Sequence, residues 1–412
     1  MLNLILYGCV LSAFGFVVLE ERTRISKAKS VLFFGCLAWI AMYVAAPAAG
    51  RGPVDAAFRA NVLEIATLWL FLMSTMTFVA YINRRGMLDA FMRALLPVRV
   101  TTRRLFYSIT FLAYLFSLFC DNVTTALVAT SLIQPLELRA PQRLTFAAAI
   151  VFAVTAGGVA LITGDVTTLM IFLAGKVQIG SLLLLGLTSL LALCALALLL
   201  GRRLDGEIDL AAAYKRRFSP SLVDTVIAIL FPVTILATML LHVYFGVPPL
   251  LTFLFGLSLM LIVGSYRRDD QVRHMLDYVR EIEFDSLLFF LGVLLLVGML
   301  ERIEVLGGLA GIYRVLPVPL CNYLIGLMSA LVGNVPLTAV VLKAGIDMPE
   351  PQWLQLTYAV VMGGTLMATG SAAGIIAMGK VRGLTLLAYG KYAGYLLLAY
   401  SVGFGAVLLL PL

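Results

Sequence analysis

The feature that most constrains this chain is the recurrence of apolar runs of 17 residues or more along its whole length, beginning with LNLILYGCVLSAFGFVVL at residues 2–19. Each run can cross a hydrocarbon layer roughly 30 Å thick as a helix. Runs near 2–19, 30–49, 62–82, 143–176 and 181–200 in the first half, and near 222–243, 247–265, 285–302, 352–380 and 389–410 in the second, predict about ten transmembrane helices. Composition agrees: 62% of residues are hydrophobic and 13% charged, against about 45–50% and about 25% in soluble domains. The chain reads as an all-α integral membrane protein. The first run has no basic segment before it and no small-residue cleavage site after it, and reads as a retained helix.

Two further apolar stretches, 103–136 and 319–345, are interrupted in the middle by CDNVTT and GNVPLT. Each has the length of two short antiparallel helices and predicts a re-entrant hairpin, a form tolerated where protein or a water-filled cavity surrounds the bare backbone. The basic residues fit this topology. Twenty-four of the 30 Lys and Arg fall on one side, leaving Arg51, Arg59, Lys176, Arg302, Arg314 and Lys343 on the other. That bias places the rich side in the cytoplasm and both termini on the periplasmic side. It also accounts for the net charge of +8 without a nucleic-acid partner.

The halves resemble one another. TAGGVALITGDVTT at 155–168 pairs with VMGGTLMATGSAAG at 361–374, DNVTT at 121–125 with GNVPLT at 333–338, and Glu64 with Asp285. Five crossings plus a hairpin per half is an odd number, so the second copy is inverted. The expected organisation is a first repeat at 1–200, with hairpin 103–136 and broken helix 143–176, then a cytoplasmic linker at 201–221. A second repeat follows at 222–412, with hairpin 319–345 and broken helix 352–380. Inverted repeats with paired broken helices point to a secondary transporter with its site at the midplane. Gly157, Gly158 and Gly164, with Gly363, Gly364 and Gly370, are expected to let backbone approach a ligand. The charged segments 83–104 and 266–284 read as amphipathic surface helices. Cys9, Cys36, Cys120, Cys194 and Cys321 read as packing residues, His242 and His274 as surface or interfacial ones, and Lys343 and Lys380 as side chains reaching outward.

Asp121 and Asp165 sit inside apolar spans, where a charge costs about 3 kcal/mol. Both are surrounded by Asn and Thr at a predicted break, and such oxygen-rich surroundings suit Na⁺ or Li⁺. Desolvation disfavours a bare carboxylate while a bound cation favours it, so a pair of acids can hold either a cation or protons. Asp285 and Glu64 lie nearer span ends, where a structural role is equally good.

DNVTTALV, AGG…GDVTTLM, GNVPL and GGT…GSAAGIIAMG, in this order, resemble the NhaD-type sodium/proton antiporters of the ion transporter superfamily. The resemblance implies Na⁺(Li⁺)/H⁺ antiport, with pH homeostasis as its use. It implies roles for Asp121, Asn122, Thr124, Asp165, Thr167 and Thr168, for Ser329, Asn334 and Ser371 in the second half, and for Asp285. Thr125 and Thr155 lie in the same motifs and complete the candidate set. It implies further a homodimer whose transport domain moves like an elevator, in a bacterial inner membrane, with no cofactor beyond the transported ions. That family usually has Asp where this chain has Gly333, and Asn where it has Thr155. Two alternatives stand beside antiport. One is an organic-anion or arsenite permease of the same superfamily, to which the neutral tips GNVPLT and GSAAG are suited. The other is an intramembrane aspartyl enzyme, for which the repeat symmetry has no evident use.

Overall fold

A computed structural model describes residues 2–18, 23, 25–47, 50–95, 99–209, 221–265, 276–303 and 306–410. Among these, six helices are long and apolar enough to cross a membrane: Lys27–Ala45, Arg51–Arg84, Ala140–Gly158, Ile179–Gly201, Leu222–Phe245 and Phe284–Arg302. Shorter apolar helices, including Pro249–Ser265 and Ala393–Leu408, fill the places of the other expected spans.

Both hairpins are present. The first runs up Thr102–Phe119 and back down Asn122–Ile133, and the second runs up Val318–Val332 and back down Asn334–Lys343. The returning arms, 12 and 10 residues, are about 18 and 15 Å long at 1.5 Å per residue, too short to cross a bilayer. Both broken helices are present as well. Ala140–Gly158 resumes as Val166–Leu173. Glu350–Gly363 passes through two 3₁₀ turns, Gly364–Leu366 and Ala368–Gly370, and resumes as Ala372–Lys380.

The packing is matched between the halves. Each hairpin's outgoing arm lies along the first part of its own broken helix, Thr102–Phe119 on Ala140–Gly158 and Val318–Val332 on Glu350–Gly363. The short arms exchange partners: Asn122–Ile133 packs on Ala372–Lys380, and Asn334–Lys343 packs on Val166–Leu173. In the remaining helices Lys27–Ala45 packs on Phe284–Arg302, and Pro249–Ser265 packs on Arg51–Arg84. The matched glycines explain the close fit. A Cβ on Gly157 would strike the Tyr114 carbonyl, and one on Gly363 would strike the Gly326 carbonyl. What these glycines admit is therefore the hairpin backbone. Of the six glycines expected to approach a ligand, Gly164 and Gly370 line the cavity where the breaks meet.

Several expectations are corrected. Segment 83–104 is not one surface helix. Met87–Ala94 is helical, and Arg99–Thr101 then pairs as a short antiparallel ribbon with Glu207–Asp209. Val100 in this charged stretch pairs across the ribbon with Ile208, and three residues of strand are too few for a period to show. Within 266–284, residues 276–280 are helical and 266–275 lie outside the described residues, as do His274 and 210–220 of the linker. Helix Arg51–Arg84 is 34 residues long, well beyond the expected 62–82, because its polar first turns are themselves helical. Asp55 and Arg59 form an i,i+4 pair there at 2.7 Å. Gly307–Val315 adds a helix before the second hairpin, and the last span is split into Leu386–Gly390 and Ala393–Leu408. Lys343 does not reach outward. Its ammonium lies 2.7 Å from Glu64 and 2.9 Å from Glu301, with the side chain 13% exposed. His242 packs edge-on against Phe172.

Candidate cation site at the crossing of four half-helices

The two breaks and the two hairpin tips meet around one cavity of about 430 Å³. Asp121, Asn122, Thr155, Asp165, Asn334 and Ser371 all line it, so six candidates from both halves come together.

Asp165 is the more enclosed of the two carboxylates in the cavity, 7% exposed. It is the N-cap of Val166–Leu173, where its Oδ1 accepts from the Thr167 amide at 2.8 Å and from the Thr167 hydroxyl. Its Oδ2 accepts from the Asn122 side-chain amide at 2.7 Å. The Asn334 amide, from the second hairpin, lies 3.3 and 3.4 Å from the two oxygens. Ser117 donates to the Asn122 carbonyl oxygen at 2.9 Å, and this bond sets which way the Asn122 amide faces. One carboxylate thus gathers donors from the first hairpin, the first broken helix and the second hairpin.

Asp121 caps the returning arm of the first hairpin, accepting from the Thr124 amide at 2.9 Å. The matched positions in the second half do the same backbone work without charge. Ser371 caps Ala372–Lys380 by accepting from the Gly374 amide at 3.1 Å. Its backbone, φ −134° and ψ 149°, nearly repeats that of Asp165, φ −138° and ψ 138°. Gly333 turns the second hairpin at φ 94° with no side-chain cap. Ser caps a helix about as well as Asp, so capping does not account for a buried carboxylate at 165. A serine there would cap the helix without the cost of about 3 kcal/mol for a charge at this depth.

The other candidates are placed as follows. Thr167 is bonded to Asp165, and Thr124 contributes its backbone amide to Asp121. Thr155 lines the cavity while its hydroxyl donates to the Val151 carbonyl at 2.9 Å. Thr125 and Thr168 are buried one turn away, their hydroxyls without a partner among the described residues. Ser329 is buried and donates to the Val360 carbonyl at 2.6 Å, tying hairpin to broken helix. Asp285 is exposed and does not line the cavity. Reasoning from the sequence missed Ser117, although it lies five residues before Asn122 in an apolar arm. It also missed Lys27, Phe289 and Phe290, which line the cavity from helices far away in the chain. No pattern marked them, because Lys27 looks like any cytoplasmic loop charge.

A family model described as a citrate transporter matches residues 11–377. The Na(+)/H(+) antiporter NhaD of Vibrio cholerae is 30% identical, covering 90% of this chain and 84% of its own. The chain belongs to the NhaD-type antiporter family. The NhaD antiporter of Vibrio parahaemolyticus is 29% identical over 87% of this chain and 93% of its own. The YdaH transporter of Alcanivorax borkumensis shares the fold, with a TM-score of 0.51 at 16% identity and 88% of each chain covered.

Proposed function

We propose that the protein exchanges Na⁺ or Li⁺ for protons across a membrane, with Asp121 and Asp165 binding cation and protons competitively. The observation that carries this reading is Asp165, a buried carboxylate clamped by amides from both hairpins where an uncharged serine serves the matched position. Its oxygens and those of Asp121 offer ligands to a desolvated cation, and the same carboxylates offer proton sites when the cation leaves. The relatives named as sodium/proton antiporters support the same exchange. No catalytic step and no cofactor enters this cycle.

The remaining assignments accompany it: repeats at 1–200 and 222–412 joined by a cytoplasmic linker at 201–221, both termini on the periplasmic side of a bacterial inner membrane, and a homodimer. The hairpins and broken helices form the moving body of an elevator. The frame contains Lys27–Ala45, Arg51–Arg84 and Phe284–Arg302.

The test uses proteoliposomes with an imposed pH gradient, following internal pH as Na⁺, Li⁺ or K⁺ is added. Na⁺ or Li⁺ should dissipate the gradient, and Asp121→Asn and Asp165→Asn should each abolish this. A second reading, an organic-anion permease, is favoured by the neutral tips Gly333 and Ser371 and by the citrate-transporter family model. It gains if no cation moves protons between about pH 6 and 9 while citrate or a similar carboxylate is taken up.

A further inference from the structure

We propose that Lys343, Glu64 and Glu301 form an ionic clasp between the second hairpin and the frame, which holds the hairpin where the structure places it and opens once in every transport cycle. The proposal rests on the exchange reading above and on its division into moving body and frame. Lys343 ends the returning arm Asn334–Lys343. Its ammonium lies 2.7 Å from Glu64 of Arg51–Arg84 and 2.9 Å from Glu301 of Phe284–Arg302. One side chain of the hairpin is thus bonded to two helices of the frame. The same arm packs along Phe284–Arg302, so the clasp secures a contact that packing has already made.

All three elements run from the cavity to the clasp. Asn334 lines the cavity at the start of the arm, and Lys343 lies about 14 Å further along it. Ser286, Phe289 and Phe290 line it near the start of Phe284–Arg302, with Glu301 about 22 Å along that helix from Ser286. Met76 lines it from Arg51–Arg84, with Glu64 about 18 Å away along the helix. The clasp therefore stands clear of the ion site, at the far end of a strut whose first residue reaches Asp165. Its two sides are unequal. The Lys343 side chain is 13% exposed, while both carboxylates are about half exposed. An enclosed ammonium is costly unless paired, so Lys343 depends on its partners more than they depend on it. A slide of hairpin against frame longer than the reach of a lysine side chain breaks both bonds together. The clasp thereby favours one end state of the cycle over the other.

The distance between the two bodies can be read by pulsed electron paramagnetic resonance on the purified protein. One spin label goes on Val44→Cys in the frame, the other on Leu387→Cys in Leu386–Gly390, which packs on Ala140–Gly158. The exposed Cys36 and Cys194 are changed to Ser. The labelled parent and its Lys343→Arg variant should show one dominant distance. Lys343→Met, and separately Glu64→Gln with Glu301→Gln, should each raise a second distance about fivefold, the most that half-exposed ion pairs support. In proteoliposomes, Lys343→Cys is then joined to Glu301→Cys by a reversible thiol cross-linker, the link being confirmed by mass. Exchange should stop on linking and return on reduction. Distances that do not respond to loss of either charge overturn the proposal, as does a linked protein that still exchanges or a pair that cannot be linked. Loss of exchange before linking, with the parent active, also overturns it, because a clasp can be removed without stopping the cycle. A parent that moves no protons in response to any cation would instead remove the exchange reading.

Discussion

The two halves share a backbone and differ in charge. At matched tips the first half has Asp121 and Asp165, the second Gly333 and Ser371. Yet Asp165 and Ser371 cap their helices with almost the same dihedral angles, and Gly157 and Gly363 meet the facing carbonyl in the same way. The shape of the crossing is therefore set by glycines and caps, and its electrostatics by a separate choice of a few side chains. Charge can be written onto one half of a duplicated scaffold without altering the scaffold.

The largest effect expected from this separation concerns shape. Gly157→Ala and Gly363→Ala each drive a methyl into backbone that cannot yield, and overpacking of this kind costs about 1–3 kcal/mol or more. Both should lower the melting temperature of the purified protein strongly and alike. A large loss for only one of them breaks the symmetry of the packing. Next comes charge. Asp165→Ser copies the second half onto the first and should abolish sodium-driven proton movement, at least about a hundredfold, while the fold survives a loss of about 1–3 kcal/mol for the Asn122 and Asn334 amides left without their acceptor. Loss of fold together with activity would show that the carboxylate is structural. Gly333→Asp runs the other way. A Cβ there meets only Pro336 at 3.8 Å, but the residue must hold φ 94°, which costs about 1–3 kcal/mol. The variant should fold with reduced stability and release more protons per bound cation. Ser371→Ala should cost about 1 kcal/mol through the lost cap and leave cation binding in place.

The smallest effect involves pH. Burial raises the Glu283 carboxyl above its ordinary 4.5, so the folded state holds that proton more tightly than the unfolded chain does. Its contribution to stability is full below the ordinary value and fades as pH rises through the raised one. Glu283→Gln should therefore match wild type in acid and become relatively more stable through the window above 4.5, read as the difference in melting temperature across a pH series.

Much of this was legible in the sequence because lipid is a strict solvent. Apolar length fixed which segments cross, and CDNVTT and GNVPLT betrayed the hairpins because polar residues in such runs are costly. The clustering of Asp121, Asn122, Asp165 and Asn334 could be anticipated from the repeat alone. Lys27 could not, because its place at the cavity depends on how Lys27–Ala45 packs against Phe284–Arg302, a contact between residues some 250 positions apart in sequence. Lys343 was misjudged for the same reason. An ammonium near a helix end reaches outward unless two carboxylates from other helices wait for it, and Glu64 and Glu301 do. The ribbon at Arg99–Thr101 was too short to leave a period.

The helix Arg51–Arg84, at 34 residues, is about 51 Å long, against a hydrocarbon layer of roughly 30 Å. Even with tilt its ends reach past that layer, and the first turns, with the exposed pair Asp55 and Arg59, are braced by Tyr43 on Asp55 and by Trp39 on Phe58. A braced helix end of this kind offers antibody fragments or fused reporters a firm grip at the edge of the water.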